Sequence, residues 1–221
     1  MRVFVLAGGH GTRFHPYSEI IPKCLIPIQG TPISRLLVNR LLSQGFEDIV
    51  ICVNRWAEPL FRHEFRDLPV KFSVTERPLG TAGELLAARD LVDGKFILQY
   101  GDDLTRIGYE GLVSFHLKNQ ADVTLAVTRK VPLEVGVVEV TWEGRITALR
   151  EKPFLGRHAW AAVSVFEPVV LEYCGVGKDL AKDVVPKMIE DKRRVYAYEI
   201  DSIWLDVGSI GHYRLANELV E

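Results

Sequence analysis

The chain has 221 residues, 48% of them hydrophobic and 25% charged, the balance of an ordinary globular protein with apolar material for one large core. Its 27 Lys and Arg against 29 Asp and Glu leave a formal charge of −2 with no block of one sign, which argues against nucleic-acid and membrane partners and requires any anionic ligand to be held locally. No apolar run approaches the ~20 residues of a spanning helix, MRVFVLAGG is too short for a signal peptide, and Cys24, Cys52 and Cys174 form no CxxC pair, so a cytoplasmic protein without a disulfide framework or zinc site is expected.

Short β-branched runs alternate with amphipathic segments through the first half, the pattern of βα units on a mostly parallel sheet. Arg2 to Leu6 reads as the first strand. Thr31 reads as an N-cap with Pro32 at the first helical position, and helical spacing runs from Ile33 until Gly45. A strand over Ile49 to Val53 follows, with buried Cys52 as a small core residue, then helical signal from Trp56 to Phe65 and a strand over Val70 to Val74. The turn ERPLGTAG leads to a helix over Glu84 to Leu91 and a buried strand over Lys95 to Tyr100, which stops at Gly101-Asp102-Asp103.

A helix over Tyr109 to Asn119 and a strand over Asp122 to Thr128 complete the first half. The texture then changes to strand pairs: VGVVEV, the turn Trp142-Glu143-Gly144, and RITALREKP. AAVSVF, a helix over Leu180 to Glu190, the strand RVYAYEI, IWLDVG and a closing helix finish the chain. The expectation is one domain over residues 1–221, with an α/β half at 1–128 and a mixed substrate-facing half at 129–221.

The chemistry begins at LAGGHGTRFHPYSEIIPKCLIPI, Leu6 to Ile28. A glycine turn after a strand lets backbone N–H groups approach a polyphosphate where a Cβ would obstruct them. Arg13 adds a bidentate fork and Lys23 a compact point charge. The loop is neither a Walker A, since no Gly-Lys-Ser/Thr follows, nor a dinucleotide GxGxxG fingerprint, since residue 14 is Phe. Asp102 and Asp206 each follow an apolar run that would end at the same sheet edge, where an open α/β sheet places its chemistry.

This string resembles the signature of the sugar-phosphate nucleotidyltransferases, roughly LAGGxGTRLxPLTxxxPKxLxPV. Leu6, Ala7, Gly8, Gly9, Gly11, Thr12, Arg13, Pro16, Pro22, Lys23 and Pro27 fall in register. TERPLGTAGELLAA, GDD, VGVVEV with EKP, and IWLDVGS are similar to the family's later motifs, so the resemblance spans the chain. It implies a Rossmann-like three-layer α/β/α fold with a mostly parallel mixed sheet. The implied reaction is attack of a sugar-1-phosphate on the α-phosphorus of a nucleoside triphosphate, with release of pyrophosphate. The string PLGTAG points among family members to the mannose-1-phosphate and heptose-1-phosphate guanylyltransferase-like ones, here without a C-terminal left-handed β-helix.

Carried over position by position, the resemblance makes Arg13, Lys23, Asp102 and Asp206 catalytic and gives Asp102 and Asp206 a magnesium ion. It assigns nucleotide binding to Leu6, Ala7, Gly8, Gly9, Gly11, Thr12, Arg13, Lys23, Glu76, Pro78, Gly80, Thr81 and Asp102, and sugar-phosphate binding to Gly136, Glu151 and Lys152. Glu76 is the expected reader of the base edge. A carboxylate accepts hydrogen bonds and suits the N1–H and N2–H₂ donors of guanine better than the mixed edge of uracil or thymine.

GTP with mannose-1-phosphate is therefore the favoured pair, with a uridylyl- or thymidylyltransferase acting on glucose-1-phosphate or another sugar phosphate as the alternative. Asp103 is expected to be a solvated loop carboxylate and Trp160 a core residue, and His10 receives no catalytic role. The chain departs from the pattern at Trp160-Ala161-Ala162, where many relatives read Asn-Ala-Gly, and at Ala181, where they carry Glu. Those changes permit a rival reading as a regulatory paralogue that binds nucleotide sugars without turnover. A phosphocholine cytidylyltransferase would need an aromatic cage, and Trp56, Trp142, Trp160 and Trp204 show no converging spacing. A homo-oligomer is left open.

Overall fold

The structure is a computed structural model that describes residues 1–9 and 11–219, the side chain of Arg13 excepted. Strand β1 (Arg2–Leu6) leads into three short 3-10 turns, Thr12–Phe14, Tyr17–Glu19 and Lys23–Leu25. Next come β2 (Pro27–Ile28), β3 (Thr31–Pro32), α1 (Ile33–Ser43), β4 (Ile49–Asn54), α2 (Glu58–Glu64), β5 (Val70–Thr75) and α3 (Thr81–Ala87). The chain continues through β6 (Phe96–Tyr100), β7 (Asp103–Thr105), α4 (Tyr109–Lys118) and β8 (Val123–Thr128). The hairpin β9 (Val137–Val140) and β10 (Ile146–Arg150) precedes β11 (Ala159–Phe166), α5 (Val185–Glu190), β12 (Val195–Glu199), β13 (Trp204–Asp206) and α6 (Ile210–Leu219).

Seven strands form one sheet in the order β12-β8-β11-β6-β1-β4-β5. All neighbours are parallel except β11, which runs antiparallel to both β6 and β8. Period-two alternation sends Val3 and Val5 of β1 to one face, against Leu37, Leu41, Phe61 and Tyr109 of α1, α2 and α4. Phe4 and Leu6 go to the other face, against Leu85 of α3 and Met188 of α5. Both faces being covered explains why the central strands read as continuous apolar runs. Cys52 is fully buried in the second of these cores, as expected. The result is an α/β fold in three layers. Among the described residues no helix is long and apolar enough to cross a membrane.

Several local expectations are corrected. Thr31 and Pro32 are not a cap and first helical residue. They pair with Pro27 and Ile28 as a two-residue bridge, and α1 starts at Ile33 with no side-chain cap. The helix expected at Glu84 starts three residues earlier, because Gly80 at φ 77° turns the chain directly into it, and its end tightens into a 3-10 turn over Arg89–Leu91. The helix expected from Leu180 opens as a wide π-type turn over Leu180–Val184, capped by the Asp179 carboxylate, which accepts from the N–H groups of Ala181 and Lys182.

Asp103 is not a solvated carboxylate. It begins β7, whose antiparallel pairing with β13 sets Asp103 opposite Asp206 and leaves its residue only 3% exposed.

Candidate active site

A cleft of about 690 Å³ opens between the turn after β1, the PLGTAG turn before α3 and the short β7–β13 pair. It is lined by Leu6, Ala7, Gly8, Gly9, Gly11, Lys23, Pro78, Gly80, Thr81, Asp102 and Asp206, eleven of the residues singled out from the sequence. Two of its glycines have specific reasons to be there. Gly11 adopts φ 61°, and a Cβ on it would stand 3.1 Å from Ser18 Cβ. Gly80, at φ 77°, would drive a Cβ to 2.5 Å from the Lys178 carbonyl oxygen.

The charged centre forms where distant segments meet. Lys23 lies in the 3-10 turn Lys23–Leu25, and its ammonium pairs with the Asp102 carboxylate and lies 3.3 Å from Asp206 Oδ1. Asp102 follows β6, Asp206 ends β13, and the Val207 N–H donates to the Asp102 carbonyl at 3.1 Å, which locks the two segments together. The Asp206 carbonyl oxygen lies 2.7 Å from His212 Nδ1, so α6 is tied to the same point. Burial alone would lower the Lys23 ammonium, but Asp102 and Asp206 outweigh it and hold the group above its ordinary range. Asp103, beneath them, is pushed well above the usual carboxylate range by burial and then by the charges of Asp102 and Asp206.

A second buried carboxylate, Glu84 of α3, forms part of the cleft wall and is 4% exposed. Thr75 Oγ1 lies 3.2 Å from each of its oxygens, and the Leu79 N–H donates to Oε1 at 3.2 Å. A Cβ on Gly8 would stand 3.0 Å from the Glu84 Cδ and Oε1. Burial raises the Glu84 carboxyl despite the hydrogen bonds from Leu79 and Thr75.

Other predicted residues lie elsewhere. Glu76 is exposed, accepts from Arg55 Nη2 at 2.7 Å and does not line the cleft. Thr12 is exposed in the first 3-10 turn. Gly136, Glu151 and Lys152 sit at the base of the β9–β10 hairpin, where a Cβ on Gly136 would meet Glu151 Oε2 at 3.1 Å and Lys152 Nζ lies 3.7 Å from Glu134 Oε2. None of the three lines the cleft. His10 and the Arg13 side chain lie outside the described residues.

The sequence reading missed Glu84, which looked like an ordinary helical position, and Asp179, which joins the cleft wall and accepts from Thr81 Oγ1 at 3.1 Å. Trp160 is not plain core. It is half-buried on the cleft wall, edge-on to Tyr100 at 5.6 Å between ring centroids, with its Nε1–H donated to the Val163 carbonyl. Ala162 and Ala181, the two departures from the family pattern, line the same wall.

A glycine turn, a lysine and two carboxylates meet around one cleft on an open α/β sheet, at the sheet edge where such folds place their chemistry. The chain matches the Nucleotidyl transferase family over residues 2–221 and belongs to it. It is 30% identical to the UTP--glucose-1-phosphate uridylyltransferase of Synechocystis sp., over 96% of this chain and 61% of that protein. It is also 30% identical to the mannose-1-phosphate guanyltransferase of Schizosaccharomyces pombe, over 96% of this chain and 62% of that protein. The chain thus spans about three fifths of the length of these relatives. Among solved structures, HddC from Yersinia pseudotuberculosis complexed with GMP-PN superposes with a TM-score of 0.77 at 23% identity, covering 98% of both chains.

Proposed function

We propose that the chain catalyses nucleotidyl transfer, joining the nucleoside monophosphate part of a triphosphate to a sugar-1-phosphate and releasing pyrophosphate, with GTP and mannose-1-phosphate as the favoured pair. The observation that carries this reading is the meeting of Lys23, Asp102 and Asp206 beside the glycine turn. Relatives named for mannose-1-phosphate guanylyl transfer and for glucose-1-phosphate uridylyl transfer both support the reaction class.

In the reaction a sugar phosphate oxygen forms a bond to the α-phosphorus as the bond to the bridging oxygen of pyrophosphate breaks. Two anions have to approach one another, so the barrier contains charge repulsion that preorganised cations relieve. The backbone amides of the glycine turn receive phosphate oxygens, Arg13 braces the β- and γ-phosphates, and Lys23 neutralises charge between the α-phosphate and the incoming sugar phosphate. Pro78, Gly80 and Thr81 of the cleft border the nucleotide, while Thr12, Gly136, Glu151 and Lys152, which lie outside the cleft lining, are assigned to nucleotide and sugar by the family resemblance alone. No covalent intermediate is needed, because positioning and charge compensation suffice.

The residues suit magnesium. Asp102 and Asp206 already share one cation, the Lys23 ammonium, and their hard oxygens match the donor set magnesium prefers. Among the described residues no group of three His, Cys, Asp or Glu side chains is arranged to hold a metal ion; the two carboxylates would hold it, with phosphate and water completing its shell. Bound there, magnesium supplies positive charge to the phosphate oxygens of the transition state.

The test is to mix the purified protein with each nucleoside triphosphate, magnesium and a panel of sugar-1-phosphates and to follow pyrophosphate. Release with GTP and mannose-1-phosphate is expected. Silence across the panel, with tight nucleotide-sugar binding unaffected by Asp102→Ala, would favour the non-catalytic paralogue.

A further inference from the structure

We propose that Glu84 reads the nucleobase and selects guanine; this rests on the nucleotidyl-transfer reading above and names the group that sets its base preference. The carboxylate stands in the cleft wall where the glycine turn meets the PLGTAG turn, with Gly8 against it and Pro78 and Gly80 bordering the same space. It is the one carboxylate of these two turns that water does not reach freely, since Glu76 is exposed and tied to Arg55.

Its hydrogen bonding is incomplete. A carboxylate pair of oxygens offers about four acceptor sites. Among the described residues, the single hydrogen of the Thr75 hydroxyl and the Leu79 N–H fill two of them. Among the described residues no cation offsets the burial that raises this group. If Glu84 only braced the loop, a glutamine would accept from Leu79 as well and avoid the cost of a buried charge. A carboxyl group enclosed in the cleft wall with acceptor sites to spare suits a ligand that supplies donors.

Guanine supplies the matching pair. Its N1–H and N2–H₂ point the same way and can meet both carboxylate oxygens, a bidentate arrangement stronger than a neutral contact. Uracil and thymine offer one N3–H flanked by two carbonyls that would face the carboxylate. Cytosine and adenine offer one amino donor beside a ring nitrogen lone pair. Gly8 is what lets the carboxylate occupy this position, because a Cβ there would contact it at 3.0 Å.

The experiment measures binding of GTP, ITP, UTP and dTTP to the intact protein by calorimetry without sugar phosphate, alongside pyrophosphate release in its presence. GTP is expected to bind most tightly. ITP, which lacks the N2 amine, should bind about tenfold more weakly, and UTP and dTTP about a hundredfold. Glu84→Gln should weaken GTP about a hundredfold and leave UTP unchanged or improved, because the carboxamide can pair with N3–H and a carbonyl together.

UTP or dTTP binding as tightly as GTP in the wild type would overturn the proposal. An equal loss of GTP and UTP affinity in Glu84→Gln would do the same by reducing the residue to a brace. Should that variant fold poorly, the wild-type comparison of GTP with ITP decides alone, and equal affinities reject guanine reading. Guanine-selective binding without pyrophosphate release would defeat the transfer reading and keep Glu84, whereas turnover with a preference for UTP would do the reverse.

Discussion

Lys23 Nζ lies 3.3 Å from Asp206 Oδ1, although 183 positions separate the two residues in the chain. The same ammonium pairs with Asp102, so one cation joins the glycine turn to both carboxylate-bearing segments. Carboxylates on two sides hold it charged through the whole neutral range. The cleft is therefore built around a fixed positive centre.

Lys23→Gln is expected to lower the rate of pyrophosphate release by a factor of about 10²–10³, the usual effect of removing one preorganised donor from developing negative charge. The variant also leaves Asp102 and Asp206 without their shared cation beside buried Asp103, so its melting temperature should fall. Stopped assays of turnover and thermal denaturation followed by circular dichroism check the two parts.

Asp206→Asn and Asp102→Asn should each raise the magnesium concentration needed for half-maximal activity by about tenfold or more, because each removes one of the two hard anionic ligands proposed for the ion. Titrating magnesium into chelator-stripped wild type and variants tests this. An unchanged magnesium requirement in both variants would remove the pair from metal binding.

Gly8→Ala should destabilise the protein by about 1–3 kcal/mol, the cost of forcing a methyl group into a filled space, here against the Glu84 carboxyl. Part of that loss should return in Gly8→Ala combined with Glu84→Ala, because the second change removes the obstructing group. A coupling of about 1–2 kcal/mol between these touching residues is expected from a double-mutant cycle in urea.

The raised Glu84 carboxyl gives a signed pH dependence. A carboxyl that is raised on folding contributes stability below its ordinary value of 4.5, and that contribution is lost as pH rises through the raised folded value. Wild type should therefore lose stability relative to Glu84→Gln as the nucleotide-free protein is taken from acid to neutral pH. Melting temperatures of the two proteins across that window should converge at the acid end, and parallel curves would contradict the burial cost.

The central strands, the glycine turn and the two separated aspartates were legible because each is encoded locally. An apolar run ends, glycines follow, and a charge stands at a sheet edge. Asp103 and Glu84 were not, because their burial depends on partners outside any local window. Asp103 disappears from solvent only when β7 pairs with β13, about a hundred residues later. Glu84 occupies what looks like an ordinary amphipathic position, and only the crossing of α3 beneath Gly8 encloses it. Thr31 and Pro32 carry a good local helix-start signal that pairing with Pro27 and Ile28 overrides.

The short pairing of β7 with β13 also makes the charged centre depend on a segment outside the large sheet. Every strand of the seven-stranded sheet and the glycine turn precede β13 in the chain, so Lys23 gains its second carboxylate only from a later segment. Fragments that end before Trp204 would carry all seven strands of the large sheet yet lack Asp206, the second carboxylate on Lys23.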